Sequence, residues 1–519
     1  MHRENCGKEI GTGVKLRPGR GGAAPEQQER KKGTFRSVAA LALAAIMLML
    51  VLTGCGKKDR FASPQEYYRH VETAAIANAV EQFGESYDDA LRAFSDAVGG
   101  KVETEMTLEL FKPAADMLKT YTGLDFSWLK SLGLTTDVNL AEDGVAVELA
   151  LSLNGRELIG MEVLANAAEG ALYGRVPLLS EEYFQTEFDK AGYRNEALEM
   201  LREMSDALPD VQTLSDLMSR CAEAALEHVG DVKQGSDTLT AGGVSVKYTT
   251  LTVTLDEDAL QDMAEDVCKI LGKDGDLEDF FLGLEELYGE GLYDDFLDTL
   301  DELPDRIGLE DDIVMTLYVG EDDVVRGRVI EYDDYIFRHA VPEERGEFGF
   351  ELSLEEDDEI SWIVSGSGER DDETLSGKFV FEADETEMFT ISVENLDVER
   401  QNNGLRSGKV TVMPTYEYYK YFGVYSLTAR AMEDFSYTLN VGKDDAAFEV
   451  YMDGDPFLTL TVRGKSGPPE ALPTVSGAKS IESWSRSLVL GGGLNDYLQY
   501  LTESDIPPEL LNRLLGSLF

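Results

Sequence analysis

The chain is poor in cysteine, histidine and basic residues, and each shortage argues against a class of protein. Its 519 residues include only four cysteines and four histidines, so a disulfide-dense scaffold is excluded. Lys and Arg number 46 against 100 Asp and Glu, a formal net charge of -54. Because binding a nucleic-acid backbone needs clustered Lys and Arg, we expect no nucleic-acid partner. The 43% hydrophobic fraction leaves room for about two or three domains with ordinary cores.

The sequence also lacks the short motifs on which common enzyme classes depend. No P-loop, dinucleotide fingerprint, HExxH, paired CxxC or GxSxG elbow occurs. Two S-x-x-K matches, Ser127–Lys130 and Ser476–Lys479, resemble a serine-lysine acyl enzyme only if companion motifs lie nearby. The companions available are Ser152–Asn154, at a strand end entering a hairpin, and Lys465–Gly467, in a predicted loop. We attribute these matches to chance and predict that the protein is not an enzyme.

The few histidines and cysteines of the main body suggest structural roles. His70, His228 and His339 are scattered, and His228 is predicted to end a helix, where a cation interacts favourably with the helix dipole. Cys221 and Cys268 each lie on an apolar helical stripe. We expect both to be buried free thiols, and the alternative is a disulfide that joins the two helices.

The first 54 residues have the charge layout of a secretory signal. They carry nine Lys and Arg against four Glu, and a basic cluster, Arg30–Lys32 with Arg36, precedes an uncharged run from Ser37 to Gly54. Positive charge stays on the cytoplasmic side while the apolar run enters the membrane. At about 18 residues, the run approaches the length of a spanning helix, so an uncleaved membrane anchor is the alternative.

The apolar run ends in Leu52, Thr53, Gly54 and Cys55, which together resemble the lipobox of bacterial lipoproteins. The resemblance implies cleavage before Cys55, which then becomes the first mature residue and carries a diacylglyceryl group on its thiol. Two acyl chains anchor a protein stably, whereas one holds it only reversibly. No second apolar run of spanning length occurs in the sequence. We therefore expect a lipid-anchored protein on the extracytoplasmic face of the cell membrane.

Hydrophobic periodicity divides the rest of the chain into helical and strand regions. The helical regions are residues 65–98, 192–228, a segment ending near 271, 277–303, 494–501 and 510–518. The strand regions are residues 102–110, 145–153, 158–164, 244–253 and most of 313–462. Thr254 and Asp256 compete as the N-cap of the helix that ends near residue 271.

These regions predict an α+β protein with large, curved antiparallel sheets covered by helices. Helix-then-sheet order occurs twice, over residues 64–179 and 277–462, which suggests two related halves, although no residue-level repeat accompanies it. The predicted organisation is a lipoprotein signal peptide at 1–54, a lipidated N-terminus and linker at 55–63, an N-terminal α+β domain at 64–255, an acidic helical segment at 256–306, a C-terminal antiparallel β domain at 307–470 and a helical tail at 471–519.

In this order of strands and covering helices, the chain resembles some uncharacterised lipoproteins of Gram-positive bacteria. More distantly, it is similar to the LolA/LppX type. In that type a curved antiparallel sheet and helices enclose an apolar cavity that carries acyl chains. The resemblance covers most of residues 64–470 and rests on pattern, so it carries over no ligand-contacting residue.

Acidic residues cluster at predicted strand ends and turns. Grouped carboxylates would suit calcium, whereas a solvated acidic face keeps a domain soluble without any ligand. Asp274, Asp276, Glu278 and Glu285 partly match an EF-hand loop, but Asp279 replaces its turn glycine. We favour the solvated face and predict no metal or other cofactor. The clusters are residues 311–312, 321–323, 333–334 and 355–359.

Aromatic residues gather between Tyr416 and Tyr425. On a strand, Tyr419 and Tyr421 would share one face while Tyr416 and Tyr418 share the other, so one set could line a groove for carbohydrate or peptide. Cross-strand aromatic packing is the simpler interpretation, because aromatic residues favour strands in any case.

The leading hypothesis is a non-enzymatic surface lipoprotein whose body binds an apolar or amphiphilic ligand such as a lipid. An envelope structural or protein-interaction module without a small ligand is the alternative. An enzyme such as a cell-wall hydrolase is the weakest of the three, because no nucleophile or acid–base constellation stands out. A hydrophobic cavity would separate the first two, but pocket-lining and core residues look alike in a sequence.

Overall fold

The computed structural model describes residues 61–141, 143–187, 208–289, 291–357, 359–371, 373–398, 406–424, 426–443, 445–490 and 493–511. Within them, helices lie loosely against one large antiparallel sheet that is not closed, so the predicted mixture of helices and antiparallel sheet is confirmed. The helices are α1 (Pro64–Gly99), α2 (Lys112–Thr122), α3 (Val211–Glu227), α4 (Glu257–Leu271), α5 (Gly275–Tyr288), α6 (Leu292–Glu302), α7 (Tyr416–Tyr421), α8 (Ser426–Met432), α9 (Ile481–Leu490) and α10 (Gly493–Thr502). The strands are β1 (Lys101–Leu110), β2 (Ser131–Ala141), β3 (Gly144–Leu153), β4 (Arg156–Asn166), β5 (Ala171–Val176), β6 (Ser180–Glu187), β7 (Val232–Ala241), β8 (Val244–Leu255), β9 (Ile313–Val319), β10 (Val325–Tyr332), β11 (Tyr335–Ala340), β12 (Glu343–Glu344), β13 (Glu347–Glu356), β14 (Glu359–Arg370), β15 (Thr374–Ala383), β16 (Thr386–Asp397), β17 (Gly408–Pro414), β18 (Phe435–Val441), β19 (Asp445–Met452), β20 (Asp455–Gly467) and β21 (Lys479–Ser480).

Strand pairing follows chain order except at three places: β11 pairs with β13, β20 pairs with β1, and β21 pairs parallel with β6. Between β7 and β20 the remaining neighbours pair antiparallel in chain order, and the short strand β12 pairs only with the beginning of β13. β20 then pairs with β1, and β1 to β6 continue the sheet in chain order. The β1–β20 joint brings residues more than 300 positions apart in sequence into register, for example Leu108 opposite Leu460. The strands of the two predicted domains, 64–255 and 307–470, are therefore parts of one sheet. The boundaries of these domains remain a prediction.

Helix α1 forms where the sequence predicts it. The Ser63 hydroxyl accepts a hydrogen bond from the Glu66 N–H at 3.1 Å, Pro64 occupies the first turn, and extended Gly100 ends the helix. Its buried side chains recur every three or four residues, beginning with Tyr68 and Val71. These two pack against apolar residues of β8 and β9, and this cluster is the largest described core.

Turn signals are confirmed at the hairpins. Asn154 and Gly155 both adopt positive φ between β3 and β4, as a two-residue type I′ turn requires, and Asp453 and Gly454 do the same between β19 and β20. In the β7–β8 turn, Gly242 lies so close to the sheet that an added Cβ would approach the Gly366 carbonyl oxygen to 1.7 Å. This glycine therefore lets the hairpin pack directly on β14.

Two sequence predictions were resolved at element ends, and a third lies partly outside the described residues. Asp256 rather than Thr254 caps α4, because its carboxylate accepts the Ala259 N–H at 2.9 Å while Thr254 lies within β8. The acidic helical region 277–303 is two helices, α5 and α6. Of the predicted helical region 192–228, residues 192–207 lie outside the described residues and the rest includes α3, while residues 512–518 of the predicted segment 510–518 also lie outside them.

Candidate functional site

One face of the sheet carries apolar side chains in register from β4 across to β18. Residues directly opposite each other in an antiparallel pair share a face, so the rows follow from the strand pairing. Large side chains on β2, β3, β4, β18 and β19 of this face are 38–46% exposed. We call this surface, on β1–β4 and β18–β20, the apolar face. Its rows are Ile159–Leu151–Leu134–Met106–Val462 and Leu132–Leu108–Leu460–Phe448–Leu439.

The same side of the sheet continues to β8–β10, where α1 covers it. There Leu317 of β9 lies opposite Leu251 of β8, and both are fully buried beneath Tyr68 and Val71. Side chains on this side of the sheet are fully buried on β8 and β9 but partly exposed on β2–β4. The same side is therefore part of the core at the first strands and an accessible surface at the second. An accessible apolar surface of this kind is typical of an interaction or ligand-binding site.

A cleft of about 1030 Å³ lies beside the N-terminus of α1. Phe61 stacks on Tyr67 with 4.8 Å between ring centroids, and both contribute to its wall. The Tyr67 hydroxyl donates a 2.7 Å hydrogen bond to Oδ1 of Asp323, which follows β9 and adopts a positive φ of 61°. Burial and the bond to Asp323 raise the pKa of Tyr67, so the phenol stays protonated and acts as a donor.

Asp323 is 7% exposed, and its Oδ2 has no hydrogen-bond partner among the described residues. Arg326, also in the cleft wall, is 2.9 Å from both Asp322 and Glu343. The guanidinium of Arg326 is therefore engaged by two other carboxylates and does not neutralise Asp323. An unpaired oxygen of a buried carboxylate is costly, and such groups often mark functional positions.

A second buried polar group lies under α1. Glu72 and Arg328 are 3% and 4% exposed and form a bidentate ion pair, with 2.6 Å between Arg328 Nη2 and Glu72 Oε2. His339 lies opposite Arg328 on β11, and its Nδ1 has no partner among the described residues. Burial first, and then the charge of Arg328, lower the pKa of His339 to about 4, so the imidazole is neutral near pH 7.

The predicted lipid-attachment site lies outside the described residues. Leu52, Thr53, Gly54 and Cys55 precede residue 61, where the description begins, so the lipobox stays a prediction. Among the described residues, no helix combines the length and apolar character needed to cross a membrane.

The acidic clusters lie at strand ends and turns, as predicted. The EF-hand-like residues do not form a loop: Asp274 caps α5 through the Leu277 N–H and pairs with Arg220, while Asp276, Glu278 and Glu285 lie within that helix. Within the described part of the chain, no group of three or more His, Cys, Asp or Glu side chains is placed to hold a metal ion.

The strand arrangement considered for the tyrosine cluster was wrong. Residues Tyr416–Tyr421 form helix α7, because the Thr415 hydroxyl accepts the Tyr418 N–H and caps a helix there. Tyr419 is buried and its hydroxyl lies 3.1 Å from that of Tyr437 on β18, so this ring packs onto the sheet instead of lining a groove. Tyr425 lies outside the described residues.

The serine–lysine matches are dispersed. Ser127–Lys130 lies in the loop after α2, Ser476 precedes the short strand that holds Lys479, and Ser152–Asn154 enters the β3–β4 hairpin as predicted. The predicted loop at Lys465 was wrong, because Lys465–Gly467 belongs to β20, which the pairing with β1 extends.

Cys221 and Cys268 are free thiols, half-buried and buried respectively, and burial raises the pKa of each. The alternative disulfide is therefore wrong. His228 ends α3, as predicted, and its Nε2 lies 2.8 Å from Asp266 Oδ2 on α4.

Sequence reasoning did not single out Tyr67, Glu72 or Arg328, and it treated Asp323 only as part of a solvated cluster. The sequence signal that could have identified Glu72 and Arg328 is a charged residue at a position where the helix or strand pattern predicts an apolar one. Glu72 lies on the buried stripe of α1, and Arg328 shares its strand face with Ile330. No protein-family model, no curated protein and no solved structure matches the chain.

Proposed function

We propose that the chain is a membrane-tethered, extracytoplasmic lipoprotein that binds an apolar or amphiphilic ligand and catalyses no reaction. The observation that carries this proposal is the apolar face, where large side chains in cross-strand register remain more than a third exposed. Because these side chains keep only 38–46% of their area exposed, covering one contributes about 1 kcal/mol, and a ligand has to cover several of them to offset the cost of ordering. A curved sheet with helices around an apolar cavity, as in the LolA/LppX type, is part of this proposal.

The tether and the charge of the body are consistent with each other. The body after residue 54 holds 37 basic and 96 acidic residues, and its net charge of -59 repels anionic lipid surfaces and anionic polymers, so the diacylglyceryl group on Cys55 holds the protein at the membrane. Mass analysis of the N-terminal peptide from a bacterial expression host tests this step. Diacylglyceryl on Cys55 is expected, and a retained, unmodified signal segment would contradict it.

The ligand proposal is tested by native mass spectrometry of residues 56–519, followed by organic extraction of whatever co-purifies. A stoichiometric adduct that extracts as a lipid or other amphiphile is expected. A ligand-free mass, together with no thermal stabilisation by added lipids, would refute ligand binding. Capture of protein partners would then test the alternative, an envelope structural or protein-interaction module.

Variants on the apolar face of β2 and β4, and a control on the opposite face of β2, locate the site. Leu134→Gln with Ile159→Gln places two polar groups in one row of the apolar face, and the adduct should fall about tenfold or more. Thr135→Gln is the matched control, because Thr135 is the exposed neighbour of Leu134 and points to the opposite face. Equal loss in both variants would show that the ligand does not bind this face.

A further inference from the structure

The sheet is open, and its two edges differ. At one edge the short strand β21 pairs with β6, and the Trp484 Nε1–H donates a 2.9 Å hydrogen bond to the Glu182 carbonyl of β6. At the other edge β7 pairs with β8 alone among the described strands. Residues 233–238 of β7 are all exposed, on both faces of the sheet. The first edge is therefore covered by the C-terminal segment, whereas β7 is open to another strand.

The turn that joins β7 to β8 shows which backbone groups of β7 point away from the sheet. Ala241 and Val244 close a two-residue turn, so they exchange backbone hydrogen bonds, and so does every second pair along the hairpin. The Thr240 carbonyl points away, because it accepts a 2.9 Å hydrogen bond from Arg338 on β11. No described strand pairs with this side of residues 232–238, which we call the open edge. Its outward N–H and C=O groups are those of Val232, Gln234, Ser236 and Thr238.

The charges on the open edge suit a second copy of the same strand. Lys233 and Asp237 are both exposed and lie two positions on either side of Gly235, on one side of the sheet. When two copies of β7 pair antiparallel with Gly235 opposite Gly235, Lys233 of each copy lies opposite Asp237 of the other. Gln234 and Ser236, whose backbone groups point outward, then form the hydrogen-bonded pairs. The strand is therefore complementary to itself in both charge and hydrogen bonding.

The neighbouring registers lack this complementarity. Moving one strand by two residues along the other places Asp231 opposite Asp237 in one direction, and in the other leaves both charges opposite uncharged residues. Moving it by four places Lys233 opposite Lys233, or Asp237 opposite Asp237. Opposite charges that face each other across two strands stabilise the pairing, and like charges destabilise it. The charge pattern therefore selects the register centred on Gly235.

The twofold axis of this pairing is compatible with a membrane tether on each copy. It passes between the paired Gly235 residues, perpendicular to the sheet, so the same side of the sheet faces the same way in both copies. Phe61, where the described chain begins, lines a cleft together with Gln234 and Ser236. Both N-terminal segments therefore leave from the same side of the pair, close to the axis. Two predicted anchors can then insert into one membrane, although the strand pairing itself does not depend on them.

We propose that two copies of this chain associate through antiparallel pairing of their β7 strands, which joins the two sheets into one. Gln234 of each copy exchanges backbone hydrogen bonds with Ser236 of the other, and Lys233 forms an ion pair with Asp237. A single pair of edge strands buries less surface than a standard protein interface, so the dimer is of the weak, reversible kind. The pairing is separate from the apolar face and does not depend on ligand binding there.

Sedimentation equilibrium of the full-length chain in a density-matched non-ionic detergent tests the proposal. The unmodified chain should form dimers with a dissociation constant of about 100 µM or lower. Lys233→Asp places Asp opposite Asp at both contacts, and Asp237→Lys places Lys opposite Lys, so the dissociation constant of each variant alone should rise about tenfold or more. An equal mixture of the two variants should form dimers as the unmodified chain does, because each contact of the mixed dimer again joins a Lys and an Asp.

Lys378→Asp is the matched control. It makes the same change of charge at an exposed lysine of β15, which has a neighbouring strand on both sides, so it should dimerise as the unmodified chain does. It also keeps the anchor and the detergent, so association through shared micelles affects it equally.

Three results would overturn the proposal. They are an unmodified chain that stays monomeric at several times the expected constant, a Lys233→Asp variant that associates as well as Lys378→Asp, and a mixture that does not regain dimers. Asp237 also interacts with the Tyr318 hydroxyl on β9. If Asp237→Lys does not fold for this reason, the comparison of Lys233→Asp with Lys378→Asp decides the matter.

Discussion

Replacing Glu72 by Gln perturbs the buried ion pair beneath α1 and should strongly destabilise the fold. Arg328 is fully enclosed, with burial opposing its charge and Glu72 raising its pKa. Removing one partner of a buried pair leaves the other charge uncompensated, which costs about 3–5 kcal/mol. Because Gln retains one acceptor oxygen, we expect a loss near the lower end, about 3 kcal/mol, in the free energy of unfolding.

The double variant Glu72→Met with Arg328→Met distinguishes the effect of the two charges from the effect of the volume that their side chains fill. Two apolar side chains of similar length remove both charges and keep most of the packing beneath α1. Replacing a whole buried pair in this way is often neutral or stabilising by about 1–4 kcal/mol. We therefore expect the double variant to be at least as stable as the unmodified chain, although Glu72→Met alone is strongly destabilised.

Urea unfolding followed by circular dichroism measures these differences. Asp116→Asn is the control, because its partner is Lys112 and both side chains of that pair are largely exposed. The control should lie within about 0.5 kcal/mol of the unmodified chain. The reasoning is refuted if Glu72→Gln costs no more than Asp116→Asn, or if the double variant loses as much as its two single substitutions together.

Two further predictions concern pH and helix capping. The pKa of His339 is lowered from 6.5 to about 4, so the unfolded chain binds a proton that the folded chain does not between these values. The free energy of unfolding should therefore fall by at most about 3 kcal/mol as the pH drops from 6.5 to 4. If the urea midpoint of a His339→Gln variant falls with pH as steeply as that of the unmodified chain, this explanation is wrong. Asp256→Ala should cost about 1 kcal/mol in the same assay because it removes the cap of α4, whereas Thr254→Ala should change little; the reverse order would show that Thr254 caps the helix.

Local signals were enough to predict many of the elements. Ser63 before Pro64 marks the start of α1, and Asn154 before Gly155 marks the β3–β4 turn, because each signal acts through backbone groups a few residues away. The aromatic segment shows where this approach failed. Its tyrosines favour strands, but Thr415 caps a short helix and Tyr419 finds a partner on β18, so capping and tertiary packing outweighed the preference.

The cleft depends on contacts that no local pattern contains. Tyr67 and Asp323 are 256 residues apart, and only the packing of α1 near the β9–β10 turn brings the phenol to the carboxylate. In sequence, Asp323 is one member of an acidic run, and a solvated turn is the ordinary explanation of such a run. The structure separates it from its neighbours by burial, because Glu321 is exposed and Asp323 is not.

The apolar face shows why the sequence could suggest a kind of function without locating it. Leu317 on β9 and Leu134 on β2 both lie in strands where side chains alternate between the two faces of the sheet. Leu317 is nevertheless fully buried under α1, whereas Leu134 is 38% exposed. Alternation reports only that one side of a strand is apolar, and an accessible binding surface and a packed core satisfy it equally. The helix that covers the sheet decides between them, and α1 meets β8–β10 through an ion pair, Glu72 with Arg328, that fixes its position there. Burial under Tyr68 and Val71 on β8 and β9, and partial exposure on β2–β4, are therefore properties of the tertiary packing, which the alternation within a strand does not contain.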